Sequence, residues 1–185
     1  MQIKKVIKQV ALLLQISTII NANLDDQTLF DTQMMRDVEL IVDSVNDVLC
    51  DISTDFLTLK TTEKISVSGE FDLSNLSKRI YKILSISPTV KYSIVGSKLI
   101  CEDGEYEIEY QYLPAEKTID DKIDEFGGKL TLYALSYGVA SQYCMICGNY
   151  SESEMWNSKY QDAMQIAMRS SKIVSLKNRR WCWKI

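Results

Sequence analysis

The spacing of hydrophobic residues predicts two helices in the first part of the chain. Hydrophobic side chains recur every three or four residues over residues 3–17 and again over residues 31–52, which places them on one face of an α-helix. The polar segment 21–27 between these helices predicts a connecting turn. In this turn Asp25 or Asp26 is positioned to cap the second helix, because aspartate accepts hydrogen bonds from the free amides at a helix start.

The pattern changes to short strands after Phe56. Runs rich in threonine, valine, isoleucine, tyrosine and serine, a composition typical of β-strands, occupy residues 64–68, 80–86, 90–95, 98–101 and 106–112. In the last run, acids or amides alternate with apolar or aromatic residues, which predicts a strand with one buried face. The residues expected on that buried face are Tyr106, Ile108, Tyr110 and Tyr112.

The segment after Pro114 predicts a helical hairpin. Its first helix carries small residues that let a neighbouring helix approach closely, namely Ala134, Ser136, Gly138, Ala140 and Ser141. Gly148 and Asn149 predict the end of this helix. The sequence from Ser151 to Glu154 has the pattern of a capping box, which predicts the start of the next helix.

Taken in order, these elements predict an α+β protein, in which a helical bundle carries an inserted, small antiparallel β region and an extended C-terminal tail. The N-terminal helices of the bundle are expected in residues 1–62, the β region in 63–113, the C-terminal hairpin of the same bundle in 114–171 and a docking tail in 172–185. The 185 residues, 46% hydrophobic and 25% charged, are typical of a globular protein with one ordinary core or two small ones.

The N-terminus has some features of a secretory signal, because Lys4, Lys5 and Lys8 precede an apolar run. Gln15 and Ser17 interrupt that run, so we interpret it as an amphipathic helix. No segment approaches the ~20 apolar residues that a membrane span requires. We therefore expect no membrane partner.

The composition also restricts the chemistry. Histidine is absent, which excludes Ser-His and Cys-His mechanisms and removes the commonest general base and metal ligand. The sequence has no Walker glycine loop, dinucleotide fingerprint or nucleophile elbow. Its five cysteines, an odd number without a convincing signal peptide, favour reduced thiols and a cytosolic setting. We expect no enzyme activity and no cofactor.

Cys144 and Cys147 form a C-x2-C pair with three possible roles. A redox pair is disfavoured, because this pair lies near the predicted end of a helix, where the dipole opposes a thiolate. A zinc site would have to recruit Cys182 or Cys101, at spacings that match no compact finger. The favoured interpretation is that both cysteines are buried core residues, so no metal site is expected.

An acidic stretch spans residues 102–125, with ten acids against two lysines. Its densest group consists of Asp120, Asp121, Asp124 and Glu125. This group lacks the spacing and central glycine of a calcium loop. A solvated acidic surface is the favoured interpretation, rather than paired carboxylates for hydrolysis.

The C-terminal segment has the opposite charge, since residues 172–184 contain five bases and no acid. Arg179, Arg180 and Lys184 surround Trp181 and Trp183. These side chains could bind phosphates and stack on bases, or they could anchor a protein interface, where tryptophan and arginine are enriched. A third alternative is that the tryptophans fold back on the core of their own chain. A single short basic tail on an acidic protein favours protein docking.

The order of these elements resembles the head-to-tail adaptors, also called connector or head-completion proteins, of tailed bacteriophages. The resemblance rests on two N-terminal helices, a β region that ends in Tyr-Gln-Tyr-Leu-Pro at 110–114, and an acidic approach to a small-residue helix. It continues with Gly-Asn-Tyr at 148–150, Met-Trp-Asn-Ser-Lys-Tyr at 155–160 and Arg-Arg-Trp at 179–181. It covers most of the chain and is strongest over residues 80–183.

The resemblance implies a structural virion protein in the neck, between the DNA-filled capsid and the tail, made in the host bacterial cytoplasm. It implies a ring of about twelve copies beneath the portal protein, with the C-terminal segment reaching the portal. The expected portal or partner anchors are Lys177, Arg179, Arg180, Trp181, Trp183 and Lys184.

The same resemblance implies that the β region faces the next neck or tail protein or lines the DNA channel. On the second alternative, Glu105, Glu107 and Glu109 would present like charge to DNA, which would then pass without sequence-specific binding. A function of another class also remains open at this point. The chain could be a small nucleic-acid-binding module that uses its basic, tryptophan-containing tail.

Overall fold

The computed structural model describes residues 1–170 of the chain. Within these residues it contains five α-helices and six β-strands, and the strands form two antiparallel three-stranded sheets. The predicted α+β class with an antiparallel β region is confirmed. The predicted tail, residues 172–185, lies outside the described residues.

The helices lie on both sides of the strands in the sequence. They are α1 (Ile3–Leu14), α2 (Ser17–Ile20), α3 (Thr32–Asp51), α4 (Leu132–Ile146) and α5 (Tyr150–Ser170). A π-helical turn, Ile52–Phe56, continues α3. The two amphipathic patterns of the N-terminal region are thus confirmed as α1 and α3, and their apolar faces are buried.

The cap of α3 differs from the prediction. The Asp31 carboxylate accepts from the Met34 N–H at 2.7 Å and caps this helix. Asp26 instead accepts from the Thr28 N–H at 3.2 Å, at the start of the short 3-10 turn Gln27–Leu29. That turn inserts between the predicted cap and the helix, so the choice of Asp25 or Asp26 was wrong.

The small-residue helix α4 is central, because it packs against α1, α3 and α5. Gly138 of α4 faces both α3 and α5. A Cβ atom built on Gly138 would lie 2.8 Å from Val48 Cγ1 and 3.0 Å from the Tyr160 ring. The predicted close approach of a neighbouring helix is therefore confirmed.

The turn between α4 and α5 lies where predicted, but α5 begins earlier than predicted. The Gly148 N–H donates to the Met145 carbonyl and the Asn149 N–H to the Cys144 carbonyl, at 3.1 and 2.8 Å, the bonds of a Schellman motif. The predicted capping box was wrong, because α5 starts at Tyr150 and its first turn already contains Ser151. A helix start displaced by two residues is enough to move a capping pattern inside the helix.

The strands are β1 (Lys60–Val67), β2 (Glu70–Asp72), β3 (Ile80–Ser87), β4 (Ser93–Val95), β5 (Lys98–Ile100) and β6 (Gly104–Tyr112). The larger sheet has the order β1-β6-β3 and the smaller sheet β2-β5-β4. Five strands match predicted runs, and β1 begins at Lys60 rather than in the expected position near 64. The three-residue β2 was not predicted, because its sequence Glu-Phe-Asp contains no β-branched residue, whereas the equally short β4 and β5 do.

The strand β3 contains two register shifts against β6. Ile80, Ile83 and Ile86 are directed inward, whereas Tyr81 and Leu84 have no direct partner across the strand. Each extra residue is a β-bulge, which converts the normal two-residue alternation into a three-residue one. The isoleucines join Leu73, Leu99 and other residues in a second hydrophobic core, distinct from the core of the helices.

Candidate functional site

The predicted acidic strand is β6, and its glutamates lie on the outward face of the larger sheet. Glu105 and Glu107 are exposed and Glu109 is half-buried, whereas Tyr106 and Ile108, between them, are buried. The alternation predicted from the sequence is therefore confirmed for these positions. The acidic strand is an accessible surface held on a buried apolar face.

Lysines share this outward face. Lys64 of β1 lies directly opposite Glu107, and Lys60 and Lys82 lie on either side of Gln111. Side chains that pair across antiparallel strands point to the same face of a sheet. The face thus combines three carboxylates with three ammonium groups, and it is not the uniformly acidic surface that the β6 sequence alone indicated.

Polar contacts fix the end of β6 to the rest of the protein. The buried Tyr110 hydroxyl donates to Glu63, and the Ser77 N–H donates to the same carboxylate at 3.1 Å. Burial would raise the pKa of Glu63, but the hydrogen bonds from Ser77 and Tyr110 outweigh burial and lower it. On the face that carries the glutamates, the buried Gln111 donates from Nε2 to the Ser53 carbonyl of the π-helical turn at 2.9 Å. This contact joins the sheet to the end of α3 and covers that end of the face.

In the acid-rich segment that follows, Asp120, Asp121 and Asp124 are exposed, as predicted for a solvated surface, but some of its acids also form ion pairs. Lys4 of α1 lies 2.7 Å from carboxylate oxygens of both Asp25 and Asp120, and hydrogen bonds to these two acids raise the pKa of Lys4. The Ile123 N–H donates to the Met1 carbonyl at 2.7 Å. The segment therefore pairs with the N-terminal helix, a long-range contact that sequence spacing does not reveal.

Asn46 holds the same segment against α3. Its side-chain amide donates to the Lys117 carbonyl at 3.0 Å and accepts from the Lys117 N–H at 2.8 Å. The Lys117 ammonium forms an ion pair with Glu125. One side chain of α3 thus satisfies both backbone groups of Lys117, as a neighbouring strand would.

The two cysteines of the C-x2-C pair lie in different environments. Cys144 is buried, and burial, with a smaller contribution from Glu152, raises the pKa of its thiol to about 11. Cys147 is exposed, so the expectation that both are core residues was wrong for Cys147. Within residues 1–170, no group of three Cys, Asp or Glu side chains is placed to hold a metal ion.

A row of acids on α3 was missed in the sequence. Five exposed carboxylates occur at four-residue intervals, Glu39, Asp43, Asp47, Asp51 and Asp55. Residues four apart lie on one side of a helix, and like charges at that spacing are unfavourable by roughly 0.2–0.5 kcal/mol per pair. Partial burial and the neighbouring Asp55 and Asp47 raise the pKa of Asp51. The four-residue spacing was visible in the sequence, but the hydrophobic pattern of the same helix concealed it.

A groove runs beside the N-terminal half of this acidic row, between α3 and residues 116–119. We call it the α3 groove. It has a volume of about 520 Å³, and its apolar lining includes Phe30, Met35, Val42 and Ile119. Its acidic lining consists of Glu39, Asp43 and Glu116. The groove thus combines an apolar surface with negative charge.

The predicted anchors of the tail, from Lys177 to Lys184, lie outside the described residues. Among residues 1–170, no helix is both long and apolar enough to span a membrane.

No protein-family model matches the chain, and a comparison with curated proteins gives no significant match.

Proposed function

We propose that the protein is a head-to-tail adaptor of a tailed bacteriophage, a structural and non-enzymatic protein of the virion neck that forms a ring under the portal. The observation that supports this most is the order of elements. The described residues contain two main N-terminal helices, then an antiparallel β region, then a tight C-terminal hairpin. This is the order on which the resemblance to head-to-tail adaptors rests. On this proposal, the helices act as a bundle that forms the body of each subunit.

The charge distribution on the larger sheet favours one role for the β region. A channel lining that repels DNA needs a net negative face, whereas lysines at 60, 64 and 82 accompany the three glutamates of β6. Mixed charges are suited to specific docking, because complementary pairs set orientation. We therefore favour contact between this face and the next neck or tail protein, with DNA passing elsewhere in the ring.

Electron microscopy of the purified protein mixed with rings of its phage's portal protein tests the proposal. A second ring stacked on the portal is the expected result. Substitution of Arg179, Arg180 and Trp181 by alanine should abolish the stacked ring, since these residues are the proposed portal anchors. Portal rings that remain bare at high protein concentration would refute the adaptor function.

The basic tail supports a second candidate, the nucleic-acid-binding module, because residues 172–184 carry five bases and no acid. The same triple alanine variant separates the two functions. Loss of salt-dependent DNA retention by the free protein would favour the module. Loss of portal binding, with no DNA retention by the unmodified protein, would favour the adaptor.

A further inference from the structure

The α3 groove is lined by apolar and acidic side chains, and some of them have no partner elsewhere in the described part of the fold. Met35 in its lining is 46% exposed, although it is a large hydrophobic residue. Among residues 1–170, no lysine or arginine forms an ion pair with Glu39, Asp43 or Glu116. Lys117, the cation that lines the groove, is bound to Glu125. An apolar surface beside unpaired carboxylates is suited to a ligand that carries both bulky apolar groups and positive charge.

The sequence of this chain contains such a ligand. Its last residues carry Arg179, Arg180 and Lys184 beside Trp181 and Trp183, without an acid after residue 162. Tryptophan supplies a large apolar anchor, and arginine binds carboxylates through two parallel hydrogen bonds. The groove volume of about 520 Å³ is within the range of pockets that enclose a bulky group.

The directions of the helices show where α5 ends relative to the groove. Tyr143 of α4 donates to Asp37 of α3 at 3.2 Å, and Val48 packs at Gly138, so α3 and α4 are antiparallel. Tyr160 of α5 packs at the same glycine, and the hairpin makes α5 antiparallel to α4. The helices α3 and α5 therefore run in the same direction.

The last residue of α5, Ser170, consequently lies at the end of the protein away from the groove. From the level of Tyr160, α5 continues for ten residues to Ser170, which is about 15 Å. The acids of the groove lie about 8–14 Å in the opposite direction, on the turns of α3 before Val48. To reach the groove, the tail of the same chain would have to reverse and run back about 25 Å. This is close to the ~30 Å that the nine residues from Ser170 to Arg179 span when fully extended, which disfavours the same chain as the occupant.

We propose that the α3 groove binds the C-terminal segment, residues 177–184, of a second copy of this chain. The tryptophans occupy the apolar lining, and the arginines pair with Glu39, Asp43 and Glu116. A groove on one face and its ligand at the far end form a head-to-tail contact, which builds rings or filaments rather than closed twofold dimers. The proposal concerns the purified chain and is tested without a portal, because the same tail residues are the proposed portal anchors.

The first test measures self-association of the full chain by analytical ultracentrifugation over a range of concentrations. Asp43→Lys should weaken association about tenfold or more, because an attractive charge pair becomes repulsive. The matched control is Asp47→Lys, the same change one turn further along α3 at a position outside the groove. A monomer at every concentration would overturn the proposal, and so would an equal effect of the two variants.

A charge-exchange experiment distinguishes the loss of a contact from misfolding of the variant. Arg179→Glu with Arg180→Glu should also weaken association, and combining these changes with Glu39→Arg and Asp43→Arg should restore it. Restoration requires that the two sites meet, since a misfolded variant cannot be rescued by further surface changes. Failure of the exchange, with all variants folded by circular dichroism, would overturn the pairing.

A second test distinguishes the copies. Cys50 and Cys101 are half-buried and Cys147 is exposed, so all three are first changed to serine. In that background, a short bis-maleimide should link Asp43→Cys to Cys182 and produce a covalent dimer and a ladder on a denaturing gel. The Asp47→Cys control and the Cys182→Ser variant should remain monomeric. A link confined to the monomer band would identify the molecule's own tail as the occupant and overturn the proposal.

Discussion

The close contact of three helices at Gly138 leads to a prediction about non-additive stability. An alanine Cβ at this position would lie 2.8 Å from Val48 Cγ1 and 3.0 Å from ring carbons of Tyr160. Favourable carbon contacts lie at about 3.5–4.0 Å. Val48 and Tyr160 are 4% and 6% exposed, so neither side chain can move into solvent. Gly138→Ala must therefore displace packed helices.

The expected magnitude combines two opposing effects. Overpacking of a core costs about 1–3 kcal/mol, and replacing glycine by alanine within a helix gains about 1 kcal/mol. Gly138→Ala should thus lower the free energy of unfolding by roughly 0–2 kcal/mol. Val48→Ala removes the methyl group that clashes, so the double variant should be more stable than the sum of the single effects by about 1 kcal/mol or more.

Guanidinium unfolding followed by circular dichroism measures this coupling, provided that the denaturant dependence m is unchanged among the variants. The control pairs Gly138→Ala with Val38→Ala, a buried valine ten residues earlier on α3 and about 15 Å away, for which effects should add. Additivity within about 0.5 kcal/mol for the Val48 pair would show that the three-helix contact is not as tight as described.

Three further predictions concern the contacts around the strands and helices. Asn46→Ala removes two hydrogen bonds to Lys117 and should cost about 1–3 kcal/mol in chemical denaturation, whereas an unchanged midpoint would contradict their role. The lowered pKa of Glu63 means that its carboxylate stabilises the fold above its unfolded pKa of 4.5 and that this contribution disappears as pH falls through the folded value. Glu63→Gln should accordingly flatten the stability profile between about pH 6 and pH 3, and an unchanged slope would refute this. Cys147 should be alkylated before Cys144 at pH 8, because Cys144 is buried with a pKa of about 11. Peptide mass spectrometry measures the order of alkylation, and the opposite order would contradict this prediction.

The main helices could be predicted because their burial follows local spacing. The stripe of α3 extends over five turns, and its buried residues are those that the period selects. The caps were less predictable, since several residues can accept the same amide and the choice depends on where the chain enters the helix. Asp26 caps the 3-10 turn and Asp31 caps α3. The sequence did not show the inserted turn that separates these two roles.

The strand region shows a different limit. The period of three in β3 comes from bulges, which local alternation does not encode, although its β-branched residues identified it as a strand. The charge of the β6 face depends on Lys64 and Lys82, which come from other strands through the register. A site that several strands build cannot be assessed from one strand alone.

The two candidate interaction surfaces also differ in whether the sequence alone reveals them. The basic tail could be recognised in the sequence because its charge and tryptophans are contiguous. The α3 groove could not, because its lining joins residues near 30–46 with residues near 116–119, and only the folded chain brings them together. The exposed position of Cys147 was likewise unpredictable, since it depends on the Schellman turn that places it after the last residue of α4.

The bulges of β3 also affect how the protein behaves when it is concentrated. This strand forms an outer edge of its sheet, and a regular outer edge presents a row of free amides and carbonyls that recruits strands from other molecules. The extra residues Tyr81 and Leu84 interrupt that row twice. Uncontrolled fibre growth through this edge is thereby discouraged, which favours the dispersed protein at high concentration.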